Sequence, residues 1–167
     1  ECPQRTTARS FRGGGERKAG RKELCGRFES PVQGGVKLVK TYTLKRGAYD
    51  LGVRNEVINQ GSAPVSPQVY VQLVRGATTS GGSFITNPTG TFTGPAVYTG
   101  AQKYQKVEFS DIDKNKAEFE KEATSGWVAM VQHYFASAWI LPDGVKRENF
   151  VRQLDATHFS VGLTPPP

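Results

Sequence analysis

The sequence predicts an all-β fold of the sandwich type, and three observations predict it. From Val36 onward, short runs alternate apolar and polar residues, the period of a half-buried strand. No long amphipathic helical pattern separates these runs. Residues 127–140 are uncharged, counting histidine as neutral, and rich in aromatic and β-branched types that suit a buried sheet. Many short strands without intervening helices are typical of two packed sheets.

Residues 1–34 differ in composition from the rest of the chain. They hold eight Lys or Arg against four Glu, and they include three consecutive glycines at 13–15. Their composition predicts a disordered or non-native segment, so we place the domain at residues 35–167. The net charge of +7 is thus mostly N-terminal. Because only Phe11 and Phe28 accompany those basic residues, we expect no nucleic-acid binding.

The predicted domain opens with a hairpin or meander. In Val36–Leu44, Val36 and every second residue after it share one face, with one charged exception. A turn at residues 45–47 leads to a strand over Tyr49–Ile58, and Asn59–Ser62 turns again. A third strand over Val65–Val74 has prolines near its start, which favours an edge position.

The following stretch, residues 76–94, is predicted to be a loop because it is rich in Thr, Ser and Gly. The remaining predicted elements are strands over Thr91–Tyr98, Tyr104–Phe109, Glu148–Leu154 and His158–Leu163, a brief helix around Ala117–Glu122, and a turn at Asp143-Gly144.

The uncharged segment Trp127–Ile140 could be helix or strand by periodicity alone. Its composition favours two strands joined by a turn near Gln132-His133. It is shorter than the roughly 20 residues that a membrane-spanning helix needs. We expect both faces of the second strand to be mostly covered, with Tyr134, Ala136, Ala138 and Ile140 on one and Phe135, Ser137 and Trp139 on the other.

Residues 111–122 place oxygen ligands at positions 1, 3, 5 and 12 of a calcium loop, as Asp111, Asp113, Asn115 and Glu122. Position six is Lys116, where such a loop needs glycine, and no amphipathic helix precedes Asp111. A solvated acidic loop is the better interpretation. We therefore predict no metal ion here.

No other residue pattern indicates catalysis or a cofactor. His133 and His158 lack a local partner that would make either a general base, so we expect packing roles for both. Glu118, Glu120 and Glu122 could supply paired carboxylates for sugar chemistry, but they share one charged run. The tryptophans, Trp127 and Trp139, could stack on a sugar, although we expect them in the core. Cys2 and Cys25 allow one disulfide and do not require it.

Four segments, in order along the chain, resemble the periplasmic domain of the bacterial members of the YidC/Oxa/Alb membrane protein insertase family. The strongest is Gly126-Trp-Val-Ala-Met-Val-Gln-His-Tyr-Phe-Ala-Ser-Ala-Trp-Ile140. The others are Val39-Lys-Thr-Tyr-Thr-Leu-Lys-Arg-Gly47, Asn59-Gln-Gly-Ser-Ala-Pro-Val65 and Phe92-Thr-Gly-Pro-Ala-Val-Tyr98, and the last two resemble proteobacterial versions in particular. Together the four span about residues 36–163.

The resemblance implies a twisted β-sandwich on the periplasmic side of an inner-membrane protein. It implies a parent that inserts membrane proteins, alone or with the Sec translocon, through membrane helices absent from this chain. The expected partners are Sec accessory subunits and nascent membrane proteins, reached through the parent. No active residue of the family falls on any position here, so we predict neither catalytic residues nor cofactors. The alternative is a free-standing carbohydrate-binding or mutarotase-like sandwich.

The two ends depart from the family pattern. Residues 1–34 do not resemble the strands that normally precede Val36, and Thr164–Pro167 stands where further strands are expected. We therefore expect a sandwich that is incomplete at both ends, with unpaired strand edges that favour aggregation.

Overall fold

A computed structural model of the chain describes residues 22–76 and 91–166 and consists mainly of antiparallel strands. It divides into two compact units, Glu1–Pro67 and Gln68–Pro167. The domain bounds predicted from the sequence, residues 35–167, stay a prediction. The predicted disorder of residues 1–21, most of the predicted loop at 76–94 and the pairing of Cys2 lie outside the described residues.

The first unit contains one three-stranded sheet. Its strands are β1 (Glu23–Glu29), β2 (Val36–Lys45) and β3 (Leu51–Asn59), in the order β1-β2-β3. Glycines at positive φ angles make both turns possible: Gly34 (φ 59°) and Gly35 (φ 78°) precede β2, and Gly47 (φ 83°) precedes β3. The predicted meander of β2 and β3 is confirmed.

Strand β1 lies within residues 1–34 and corrects the prediction of disorder for that part of the segment. Its charges, which suggested a solvated tail, lie on one face, where Glu29 forms ion pairs with Arg27 and Lys37. Its apolar residues lie on the other face, where Phe28 packs edge-on against Tyr42 at 5.7 Å between ring centroids. The strand forms because β2 offers a matching partner, a contact that local composition does not reveal.

The second unit contains two four-stranded antiparallel sheets packed against each other. The first sheet has the order β4-β11-β10-β7 and the second the order β6-β5-β8-β9. In chain order the elements are β4 (Val71–Gly76), β5 (Gly94–Thr99), β6 (Lys103–Lys106), α1 (Phe109–Asp113), β7 (Glu122–Ala123), β8 (Trp127–Gln132), β9 (Phe135–Ile140), β10 (Arg147–Gln153) and β11 (His158–Thr164).

The core of this unit lies between its two sheets. Val97, Val128 and Met130 of the second sheet pack with Val161 and Leu163 of the first, and all five are buried. Burial of such side chains contributes roughly 1.5–3 kcal/mol each. The apolar layer between two sheets confirms the predicted sandwich architecture for this unit.

Polar contacts also join the two sheets. Trp139 in β9 donates from Nε1 to the carbonyl oxygen of Gln72 at 3.2 Å, and its ring packs on the core. Arg75 donates from Nη1 to Gln132 Oε1 at 2.6 Å. At another part of the core, Ile112 of α1 packs with Val107 in a smaller buried cluster.

The helix predicted around Ala117–Glu122 is wrong. The helix lies at Phe109–Asp113, where Phe109 and Ile112 both reach the core from one face. Ala117 also packs against the core, but from irregular backbone, and β7 already begins at Glu122. Because the short helix takes over after Lys106, the predicted strand over residues 104–109 is shortened at its end.

The third strand is also shorter than predicted, since it begins at Val71 and the backbone of residues 64–70 is irregular. Pro64 and Pro67 lack the N–H that a central strand position would need. The last two predicted strands are confirmed as β10 and β11.

The uncharged segment does split into two strands, but the expected burial of the second is wrong. Tyr134 is 82% exposed, Phe135 69% and Ile140 70%. The reason is that β9 is the edge strand of its sheet, and only part of it, including Trp139, reaches the facing sheet. Local hydrophobicity predicted the strand correctly but could not show its position in the sheet.

Candidate partner-binding surface

Four large side chains line up across the outside of the second sandwich sheet. Tyr104, Tyr98, Trp127 and Ile140 are direct partners across β6, β5, β8 and β9, so all four project from the same side, opposite the core. We call them the aromatic face. Tyr98 stacks on Trp127 with ring centroids 5.6 Å apart, and Tyr104 approaches Trp127 at 6.0 Å. Tyr104 is 43% exposed, whereas Tyr98 and Trp127 are half-buried.

The next positions on this side of the sheet are small. Ala96, Ala129 and Ala138 lie opposite one another, with Lys106 at the end of the row. Ala96 and Ala129 are buried, at 0% and 1% exposure, so the aromatic face is the more exposed part of this side. Lys106 Nζ lies 5.4 Å from the centre of the Phe92 ring, a cation–π contact. Lys106 is the one charged residue that these four strands place on this side. An aromatic, charge-poor sheet surface of this kind is typical of the centre of protein–protein interfaces.

Gly126 allows two backbone segments to lie unusually close together beside the aromatic face. It has φ 101°, and a Cβ atom at this position would lie 1.9 Å from the carbonyl oxygen of Tyr98. Only glycine accommodates that φ and that distance together. The strand carrying Trp127 can therefore begin directly against the strand carrying Tyr98.

The buried guanidinium of Arg147 holds together the backbone on either side of β8 and β9. It is 1% exposed and donates to backbone carbonyl oxygens only. Burial lowers the pKa of Arg147 from its ordinary value, although Asp143 opposes the effect. The donated bonds go to Gly126 O at 3.0 Å, Thr124 O at 3.0 Å, Pro142 O at 2.8 Å, Val145 O at 3.0 Å and Leu141 O at 3.4 Å.

Two of the three candidate carboxylates come together in one cleft. Glu120 and Glu122 line a cleft of about 340 Å³, whereas Glu118 does not. Glu120 accepts a hydrogen bond from the Thr99 hydroxyl, and Glu122 pairs with Lys146 at 3.3 Å. Each carboxylate thus already has a partner, so the geometry does not resemble two acids left facing each other across a bond.

The two histidines occupy separate polar sites. His133 Nδ1 lies 2.6 Å from Thr91 Oγ1, and His158 Nδ1 lies 2.9 Å from the Asp155 carboxylate. The backbone N–H of Thr157, and then the His158 side chain, lower the pKa of Asp155 to about 2. The contacts of Asp155 with Thr157 and His158 hold the β10–β11 hairpin turn.

The calcium-like motif does not form a calcium loop. Asp111 and Asp113 lie within α1, and Asn115 follows at φ 54°. Across residues 22–76 and 91–166, no group of three or more His, Cys, Asp or Glu side chains could hold a metal ion. Cys25 lies in β1, with its Sγ 3.7 Å from Thr43 Oγ1.

The two tryptophans have different roles. Trp139 is a core residue as predicted, whereas Trp127 belongs to the aromatic face. Neither Tyr98 nor Tyr104 was singled out from the sequence. The signal was present, because Thr99-Gly100 predicts a tight turn between the two strands, and a hairpin register places Tyr98 opposite Tyr104.

Comparison with known proteins supplies the family. The sequence profile of the YidC periplasmic domain matches residues 3–167. The chain belongs to the YidC periplasmic domain family. The predicted resemblance is therefore confirmed, and the match begins well before Val36.

Membrane protein insertases named YidC from several Burkholderia species are similar to the chain. The protein from B. cenocepacia is 55% identical over 139 residues, which is 83% of this chain and 25% of that protein. The protein from B. thailandensis is 52% identical over 148 residues, which is 89% of this chain and 26% of that protein. The chain spans about a quarter of the length of these YidC relatives. In the part of the chain that the structure describes, no helix is both long and apolar enough to cross a membrane.

Proposed function

We propose that this chain is a partner-binding module of a membrane protein insertase and performs no chemistry itself. Its family, and relatives that carry the name membrane protein insertase, support this assignment. The parent protein lies in the bacterial inner membrane, with this segment facing the periplasm. Contact with the bilayer, and insertion of client proteins, belong to helices outside this segment.

The aromatic face is the observation that carries the partner-binding role. Large aromatic residues near the centre of an interface contribute most of its binding energy. Tyr104 and Ile140 are exposed at the two ends of the row, and the stacked pair between them is already ordered. The side chains of the stacked pair therefore lose little conformational entropy when a partner covers the row. The proposed partner is an accessory subunit of the Sec translocon.

The packing around both tryptophans favours a protein partner over a carbohydrate. Trp127 has Tyr98 stacked on its ring, and Trp139 packs in the core with its Nε1 bonded to Gln72. Neither ring is an unoccupied platform on which a sugar could stack.

Binding of the purified chain to purified periplasmic domains of Sec accessory subunits tests the proposal. We expect Tyr104→Asp to weaken binding at least tenfold, because a carboxylate at an apolar contact must be desolvated on binding. The matched control is Val74→Asp, at a position 50% exposed on the outer side of the other sandwich sheet.

Circular dichroism would confirm that both variants fold. Loss of binding by the Val74 variant alone would show that the partner-binding surface lies on the other sandwich sheet. Absence of any binding by the unmodified chain would exclude these subunits as partners.

A further inference from the structure

The side chain of Arg147 uses its whole hydrogen-bonding capacity on the main chain. A guanidinium carries five N–H groups in a planar fork. Five backbone carbonyl oxygens accept from it, and we call this arrangement the Arg147 clamp. In the described part of the chain, no ion pair includes Arg147. Because a buried cation without a carboxylate is costly, the bonds of the clamp have to offset that cost.

The clamp joins two connections that are far apart in sequence. One connection leads from β7 into β8, and the other leads from β9 into β10. Arg147 Nη1 donates to Gly126 O on the first connection and to Leu141 O on the second. Arg147 Nη2 donates to Thr124 O and to Pro142 O on the same two connections. Each terminal nitrogen therefore bridges the start of β8 and the end of β9.

The clamp lies at the point where the hydrogen-bonded pairing of β8 and β9 ends. The last pair of residues in that pairing is Trp127 with Ile140. The next pair outward would be Gly126 with Leu141, and Arg147 Nη1 binds the carbonyl oxygens of both, at 3.0 and 3.4 Å. The guanidinium therefore links the two strands where their own hydrogen bonds stop.

The pair beside the clamp, Trp127 and Ile140, is half of the aromatic face. Gly126 directly precedes Trp127, and a Cβ atom on Gly126 would lie 1.9 Å from the carbonyl oxygen of Tyr98. Leu141 directly follows Ile140. A shift of either bound carbonyl would move the strand end that carries Trp127 or Ile140. The stacking of Trp127 on Tyr98, at 5.6 Å between ring centroids, would change with it.

Lysine cannot replace the guanidinium in this arrangement. Its ammonium group has three N–H groups on a single atom, so at least two of the five carbonyl oxygens would lose their partner. An arginine fork reaches carbonyls on both connections at once, whereas a point charge does not. The geometry therefore depends on arginine at position 147 and not on positive charge alone.

From this geometry we propose that Arg147 is a positioning residue for partner binding, which holds Trp127 and Ile140 in the arrangement that the aromatic face presents. The proposal rests on the proposed function of that face. Affinity gains from such a clamp, because side chains that are ordered beforehand lose less conformational entropy when a partner covers them.

The test uses the whole chain with Arg147→Lys and with fluorotryptophan in place of tryptophan. The chain has two tryptophans, so fluorine NMR gives two resonances, and Trp139→Phe assigns them. We expect Arg147→Lys to shift or broaden the Trp127 resonance more than that of Trp139. The Trp139 ring packs on the core, and its Nε1 is bonded to Gln72 of the facing sheet, so it reports general loosening of the fold.

Ile112→Val is the matched control. It removes one methylene from the smaller buried cluster, which lowers stability without altering the clamp. Both fluorine resonances should then stay in place.

Affinity for the periplasmic domain of a Sec accessory subunit is the second measurement. We expect Arg147→Lys to weaken binding about five- to tenfold, since Trp127 and Ile140 would have to be ordered on binding. Ile112→Val should leave the affinity unchanged.

Two results would overturn the proposal. One is a folded Arg147→Lys variant in which the Trp127 resonance moves no more than that of Trp139. The other is full affinity in a variant whose Trp127 resonance has moved. If the unmodified chain binds none of these subunits, the proposed function fails, and the NMR comparison still decides whether Arg147 positions the aromatic face.

Hydrogen exchange at the guanidinium groups of the unmodified chain replaces these measurements if Arg147→Lys does not fold. The N–H groups of Arg147 should exchange more slowly than those of Arg54, whose side chain is 76% exposed, because all five are hydrogen-bonded and buried. Slow exchange at one arginine would support the clamp, and fast exchange at every arginine would overturn it.

Discussion

At the scale of single residues, Gly126 is the glycine at which an added Cβ atom would destabilise the fold most. We expect Gly126→Ala to lower the free energy of unfolding by more than about 3 kcal/mol, because both the left-handed backbone and the Tyr98 carbonyl oppose a side chain. Gly144 is a matched control, since it has φ 86° but no atom within 4 Å of the place where a Cβ would stand. Gly144→Ala should cost only about 1–2 kcal/mol.

Urea unfolding followed by circular dichroism measures both losses. Equal losses for the two alanine variants would mean that the contact between Gly126 and Tyr98 is not tight. The comparison separates backbone strain, which both sites share, from the close approach that only Gly126 makes.

Residue-level function was only partly predictable. Trp139 was correctly assigned to the core, but Trp127 was assigned there too, because hydrophobicity does not tell the inner side of a sheet from the outer. Arg147 gave no signal, since its hydrogen-bonding partners are backbone carbonyls, which every residue carries.

At the scale of elements, β9 combines a free edge with an uncharged sequence. It pairs with β8 on one side and is the last strand of its sheet. Because Phe135 begins this strand and is 69% exposed, we expect Phe135→Lys to raise the protein concentration at which the chain self-associates.

Light scattering at increasing protein concentration checks this expectation. The control is Leu154→Lys, at a position 49% exposed that follows β10 and lies outside any strand. If the two substitutions raise the threshold equally, general surface charge and not the β9 edge controls association.

The strands were more predictable than the helix or the order of the sheets. Alternation of apolar residues indicates a strand wherever one side is buried, and β2, β3, β8, β10 and β11 all follow it closely. Helix α1 spans only five residues, too few for a period of 3.6 to show. Sheet order depends on contacts between residues far apart in sequence, so the edge position of β9 could not be derived from local pattern.

At the scale of the whole molecule, the two units differ in how much apolar surface they bury. Among the described residues, Val39 is the one buried hydrophobic residue of the first unit, whereas the second unit has two buried clusters. We therefore expect amides in β2 to exchange with deuterium faster than amides in β8 and β11, because local opening costs less where little core is lost.

Hydrogen exchange measured by mass spectrometry on the unmodified chain tests this difference. Equal protection in the strands of both units would show that they unfold together. Faster exchange confined to β2 and its neighbours would instead match the single buried hydrophobic residue described in that unit.

The packing of Tyr98 and Tyr104 against Trp127 has an optical consequence. Tyrosines whose rings lie 5.6 and 6.0 Å from an indole transfer their excitation energy to it, so in the folded chain light absorbed by these two rings is emitted by Trp127. Unfolding would restore tyrosine emission, at shorter wavelengths, without any attached dye. The emission spectrum therefore reports the distance between these three rings. A change that separates Tyr98 and Tyr104 from Trp127 would shift emission from tryptophan to tyrosine wavelengths.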